Sequence, residues 1–170
     1  MRDFSNYWKA LTYAVEKYGD LTRKFSDLPY IIHPVRITAI LRAGGYSEYE
    51  HEDLFIATLF HDLVEDTPTK LEEIEQVFGS KIASIVNEVS KPDNKSKDEW
   101  LEDFDQFSAE ARILKMADRI DNLLDMRDWS SDYQKVYAKQ AKIILKKCRE
   151  ADENLAKKLE EIISSFSDLD

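Results

Sequence analysis

Residues 54–64 read Leu54-Phe55-Ile56-Ala57-Thr58-Leu59-Phe60-His61-Asp62-Leu63-Val64. A helix over this segment carries apolar side chains on nearly every side, and such a helix belongs in a core rather than on a surface. His61 and Asp62 are drawn inward with it. An isolated buried carboxylate is very costly, so Asp62 must be paired, hydrogen-bonded, protonated or bound to a metal. Glu65 and Asp66 follow His61 and Asp62 at i+4, which puts each pair on one helix face. Four ionisable groups then meet at the C-terminal end of the helix, where the dipole is negative and three carboxylates repel one another. A divalent cation relieves both penalties. Taken alone, a His-Asp dipeptide is better read more plainly, as a helix that ends in solvent and a hydrogen-bonded core histidine.

Outward from this segment the chain reads as helical. Glycine and proline number four each among 170 residues, and apolar residues recur mostly at three-to-four spacing, which predicts an all-α fold. Phe4, Trp8, Leu11, Val15 and Tyr18 form one stripe of a first helix ending near Gly19, followed by a polar loop carrying Arg23 and Lys24. Pro34 suits the first position of a second helix, closed by Gly44 and Gly45. Ser47 and Glu50 are spaced as a capping box for the central helix, which ends near Thr67-Pro68, and Thr69 and Glu72 repeat the device for the next one. Further helices are predicted over about 80–90, 109–127, 131–149 and 152–165, with 91–97 as the clearest loop.

The length suits one domain with its own core, and no repeat or linker divides it. Cys148 is the only cysteine, so no internal disulfide forms, and no apolar run approaches the roughly 20 residues of a membrane span. Asp3, Asn6 and Lys9 interrupt any apolar leader at the N-terminus, so the chain is expected in the cytosol and away from membranes. A formal charge of −10 repels nucleic acid at long range and argues against a polynucleotide partner. A small anionic ligand is still allowed, given a local pocket that is basic or holds a metal.

Two further features bear on that pocket. His33 lies at the mouth of the second helix in Pro29-Tyr30-Ile31-Ile32-His33-Pro34, where an imidazole can project inward as a ligand or as a structural group. In Lys115-Met116-Ala117-Asp118-Arg119-Ile120-Asp121-Asn122, Asp118 and Asn122 share a face beside the apolar stripe Ile113, Ala117, Ile120 and Leu124; alone, this would be a solvated polar face. Together, His33, His61, Asp62 and Asp118 supply two imidazoles and two carboxylates. Such a mixed nitrogen and oxygen set suits manganese, iron or a similar divalent metal, whose charge the two carboxylates balance.

These segments resemble the HD superfamily and, within it, the alarmone hydrolases related to the RelA/SpoT hydrolase domain. The resemblance rests on Arg23-Lys24, Pro29 to Pro34, Leu59-Phe60-His61-Asp62-Leu63-Val64-Glu65-Asp66-Thr67, Phe78-Gly79, and Ala111 to Met126, in the family's order. It implies an all-α hydrolase that removes pyrophosphate from the 3′ position of guanosine 3′-pyrophosphate nucleotides, usually with manganese, in its small stand-alone form. It further implies that His33, His61, Asp62 and Asp118 bind the metal, that Glu65 and Asp66 serve the attacking water, and that Arg23, Lys24 and Asn122 contact the nucleotide.

Two departures stand against the pattern. The loop from Lys24 to Pro29 lacks the family's glycine and is made apolar by Phe25 and Leu28. Where the family carries a basic Glu-Arg-Lys segment, this chain reads Asp98-Glu99-Trp100-Leu101-Glu102-Asp103-Phe104. Lys91, Lys95, Lys97 and Arg112 are the candidates to replace the missing charge. The altered segment leaves room for an HD hydrolase of another nucleotide phosphate or dinucleotide; a non-catalytic module with the same fold is the remaining alternative.

Overall fold

A computed structural model of the chain describes residues 5–24, 26–126 and 129–166; Phe4 and Phe25 lie outside them. Among the described residues the regular structure is helical, with one isolated antiparallel bridge between Thr22 and Pro29. The chain divides into two compact units, Met1–Lys91 and Pro92–Asp170.

The first unit contains α1 (Ser5–Tyr18), α2 (Ile32–Ala43), α3 (Glu52–Phe60), α4 (Leu63–Asp66), α5 (Leu71–Phe78) and α6 (Ser80–Val89). At its centre is α3, in which every residue from Leu54 to Phe60 is buried, as an all-round apolar helix requires. It packs against α1, α2 and α6. The one polar group in that run, the Thr58 hydroxyl, donates to the Leu54 carbonyl at 2.7 Å. Tyr13, Phe60 and Phe78 meet edge-on at centroid distances of 4.7–5.4 Å, tying α1, α3 and α5 together.

Tertiary contacts redraw three local expectations. The face of α1 that enters the core is Ala10, Ala14 and Tyr18, while Trp8 and Val15 are 68% and 49% exposed. Small residues let helices approach closely, so the buried face is rotated from the large apolar stripe. The Ser47–Glu50 spacing does not cap α3: it closes a turn, with the hydroxyl 3.4 Å from the Glu50 carboxylate, and α3 begins at Glu52. At α5 the first residue is Leu71, and Glu73 rather than Glu72 accepts from the Lys70 N–H. Thr69 instead donates its N–H to the Thr67 hydroxyl, which reaches back to the Leu63 carbonyl. Gly79, between α5 and α6, has φ +95°, a conformation that needs glycine and explains the residue at this junction.

The second unit contains α7 (Lys97–Glu102), a 3₁₀ turn at Asp103–Gln106, α8 (Ala109–Asp125), α9 (Ser131–Cys148), a 3₁₀ turn at Arg149–Ala151 and α10 (Glu153–Ser164). α8 packs against α9 and α10, and α9 against α7. α7 lies where no helix was expected. Its start signal is a true capping box: the Ser96 hydroxyl accepts from the Glu99 N–H, and the Glu99 carboxylate accepts from the Ser96 N–H at 2.9 Å. Trp100, Leu101 and Phe104 are buried beneath it, so the segment that departs from the family pattern serves as core. Ser96→Ala should lower stability by about 1 kcal/mol, the usual cost of a lost N-cap, measurable as a shift in the denaturation midpoint at unchanged slope.

Candidate functional site

The helix that carries His61 and Asp62 does not run straight through them. α3 stops at Phe60, Asp62 adopts φ −107° and ψ 0°, and α4 resumes at Leu63. Hydrogen bonding survives the bend at one of the two pairs, with the Asp66 N–H donating to the Asp62 carbonyl at 2.9 Å, so the i+4 relation between Asp62 and Asp66 is retained.

His61 is fully buried, and its Nδ1 lies 2.8 Å from the Thr58 carbonyl. A carbonyl only accepts, so Nδ1 is the donor here and Nε2 is the nitrogen turned to the centre. That nitrogen faces Asp62 Oδ2 at 2.8 Å, with His33 Nε2 3.7 Å from the same oxygen. The two imidazole rings are 5.1 Å apart. An imidazole whose Nδ1 is held by a backbone carbonyl, leaving Nε2 for a cation, is the usual arrangement of a metal-ligating histidine. Two imidazoles and a carboxylate oxygen converging in this way fit a divalent cation.

Tyr30 joins this centre, although sequence reasoning assigned it no role. Its hydroxyl donates to Asp62 Oδ2 at 2.6 Å, and its ring stacks on Tyr18 and meets His33 edge-on. Burial, then the negative charge of Asp62, pushes the Tyr30 phenol far above its ordinary range, so it remains a donor. The available signal was its place in the same short segment as His33.

Glu65 and Asp66 are exposed residues at the edge of the centre, although protein atoms still crowd the Asp66 carboxyl. Glu65 Oε1 accepts from the Lys91 N–H at 3.0 Å, which holds one end of that carboxylate. The Asp66 carboxyl is raised above the usual carboxylate range by burial, then by the charge of Asp62 and less by Glu65; the Tyr30 hydroxyl and His61 pull the other way. The crowding of acids read from the sequence is therefore physical at Asp62 and Asp66.

The nucleotide candidates divide. Arg23 is no solvated loop residue: it is 6% exposed, with its guanidinium 5.5 Å from the Tyr30 ring centroid. Lys24 is exposed in the turn that the Arg23 N–H closes on the Leu28 carbonyl. In the second unit Asp118 is 5% exposed, which overturns a solvated polar face. Its oxygens take an ion pair from Lys115 at 2.9 Å and a hydrogen bond from Asn122 at 2.6 Å. Leu124, at the end of the stripe beside it, is exposed. Of the replacement cations, Lys95 pairs with Asp103 and Lys97 lies over the Trp100 ring.

An all-α chain with a His-Asp dipeptide at a helix bend, its histidine buried and a second buried histidine beside it, is of the HD-domain class, and the chain matches the family description "HD domain" over residues 10–147. It is 30% identical to the guanosine-3′,5′-bis(diphosphate) 3′-pyrophosphohydrolase MESH1 of Drosophila melanogaster, over 93% of each chain. The corresponding enzyme of Aquifex aeolicus is 35% identical over 78% of this chain, which spans 19% of that longer protein. A solved structure described as a metazoan ortholog of SpoT that hydrolyses ppGpp superposes with a TM-score of 0.88 at 28% identity, covering 98% of both chains. The chain belongs to the HD-domain family and, within it, to the guanosine-3′,5′-bis(diphosphate) 3′-pyrophosphohydrolases.

Proposed function

We propose that this chain is a divalent-metal-dependent hydrolase that removes the 3′-pyrophosphate from guanosine 3′-pyrophosphate nucleotides, leaving GDP or GTP. The observation that carries the reading is the convergence of His33 Nε2 and His61 Nε2 on Asp62 Oδ2, in a chain whose relatives are hydrolases of that nucleotide. Asp118, buried in its own unit, is proposed as the fourth ligand, and manganese as the ion, which suits a mixed imidazole and carboxylate set. When bound, such an ion would polarise phosphorus and lower the pKa of the attacking water.

The chain's own groups supply the rest. His61, locked by Thr58, and Asp62, held by Tyr30, orient the ligand atoms. Glu65 or Asp66 takes the proton from the attacking water, the two acting as a coupled pair. Arg23 offers a planar cation beside Tyr30 to stack on a purine, Lys24 a point charge for phosphate, and Asn122 a polar contact to the nucleotide. The family match crosses the boundary between the two units, which supports treating them as one hydrolase domain. Among the described residues no helix is long and apolar enough to cross a membrane; with the acidic net charge, this supports a cytosolic enzyme with a small-molecule partner and no nucleic acid.

Lys95 and Lys97 are engaged within the second unit, and this favours a second reading in which the substrate is another nucleotide or dinucleotide phosphate. Manganese-loaded protein incubated with a nucleotide panel decides between them. The expected result is release of pyrophosphate from the guanosine 3′-pyrophosphates and little from the rest. Orthophosphate release from other nucleotides, with the alarmones untouched, would favour the second reading.

A further inference from the structure

Tyr30 sits between the loop that carries Arg23 and the centre that carries Asp62, and both ends of its side chain are used. Its backbone is fixed first: the Tyr30 N–H donates to the Leu21 carbonyl at 2.7 Å, and its carbonyl accepts from the His33 N–H at 2.9 Å. The ring is then held on three sides. Tyr18 stacks on it at 5.0 Å with planes 29° apart, His33 meets it edge-on at 5.9 Å, and the Arg23 guanidinium lies 5.5 Å from its centroid. A ring so confined leaves the hydroxyl little choice of position. That hydroxyl donates to Asp62 Oδ2, the oxygen that also faces both imidazole Nε2 atoms.

We propose that Tyr30 is a positioning residue with two separable tasks: its hydroxyl sets the rotation of the Asp62 carboxylate toward His33 and His61, and its ring seats Arg23. The terminal torsion of an aspartate is broad and roughly two-fold. Without that donor on Oδ2, Asp62 loses a restraint that turns it toward the imidazoles, and more of its ordering falls to the step in which the metal binds. Groups that orient a ligand in this way typically contribute 10- to 100-fold to metal affinity. Phenylalanine keeps every ring contact and removes only the donor, whereas leucine removes both.

The inference rests on the proposed metal centre, and the test separates the two. Wild type, Tyr30→Phe and Tyr30→Leu are stripped with chelator and titrated with Mn²⁺ alone, following the thermal transition, and kcat and KM are then measured at saturating Mn²⁺. Tyr30→Phe is expected to bind Mn²⁺ about 10-fold or more weakly, with kcat recovering at high Mn²⁺ and KM little changed. Tyr30→Leu is expected to show the same metal defect and a raised KM as well, because Arg23 has lost its platform. A general packing role would not give that split. If wild type responds to Mn²⁺ and Tyr30→Phe responds at the same concentration, Tyr30 does not position Asp62. No response in wild type would overturn the metal centre and this role together. The Tyr30→Phe result stands by itself if Tyr30→Leu fails to fold.

Discussion

Replacing Glu65 by glutamine and Asp66 by asparagine should lower kcat by about 10²-fold or more for at least one of the two, the usual cost of a lost general base, while metal content stays at the wild-type level. Both amides preserve shape. A glutamine at position 65 still presents an oxygen to the Lys91 N–H, so the loop that Glu65 holds is not released. Asp66 is the group whose proton affinity the surroundings already raise, through burial and the charge of Asp62. A carboxylate moved toward neutrality accepts and returns a proton more effectively than one at its ordinary value. The measurement is kcat beside metal stoichiometry for each variant. Near-native kcat in both would assign water activation to another group.

Removal of the metal should abolish turnover and lower the melting temperature. A ligand that binds only the folded state, present at a hundred times its dissociation constant, stabilises by about 2.7 kcal/mol. For a domain of this size that corresponds to a fall of roughly 5–10 °C on chelation. Asp62→Asn and Asp118→Asn should reproduce the fall in part, since each neutralises one of the two carboxylates proposed to balance the ion. Excess Mn²⁺ should restore some of their activity, which separates them from Glu65→Gln and Asp66→Asn, whose defect metal cannot repair. An unchanged midpoint in chelator, with full activity, would remove the metal from the mechanism.

Much of this molecule was legible before its structure. The 54–64 run read as a core helix, because its apolar groups leave no face for water; α3 is buried from Leu54 to Phe60, and the helix bends at His61-Asp62 before α4. The scarcity of glycine and proline and the three-to-four spacing gave the all-α class, and α6, α8, α9 and α10 lie close to the expected positions. These features are local or nearly so, and a single chain carries them in its periodicity.

What the tertiary structure alone decided is a matter of approach between distant segments. Which face of α1 is buried depends on how closely α3 comes, and close approach selects Ala10 and Ala14 over Trp8 and Val15. α7 escaped notice because a helix of 6 residues carries too little periodicity to be read, and burial of Trp100 stabilises it instead. Asp118 and Arg23 are polar residues whose spacing fits a wet surface, and only burial by neighbouring elements removes them from it. Tyr30 is the clearest case. Nothing in the sequence distinguishes a tyrosine packed for its ring from one held for its hydroxyl; the donor's purpose is set by Asp62, 32 residues away, and distances of that kind are decided by folding.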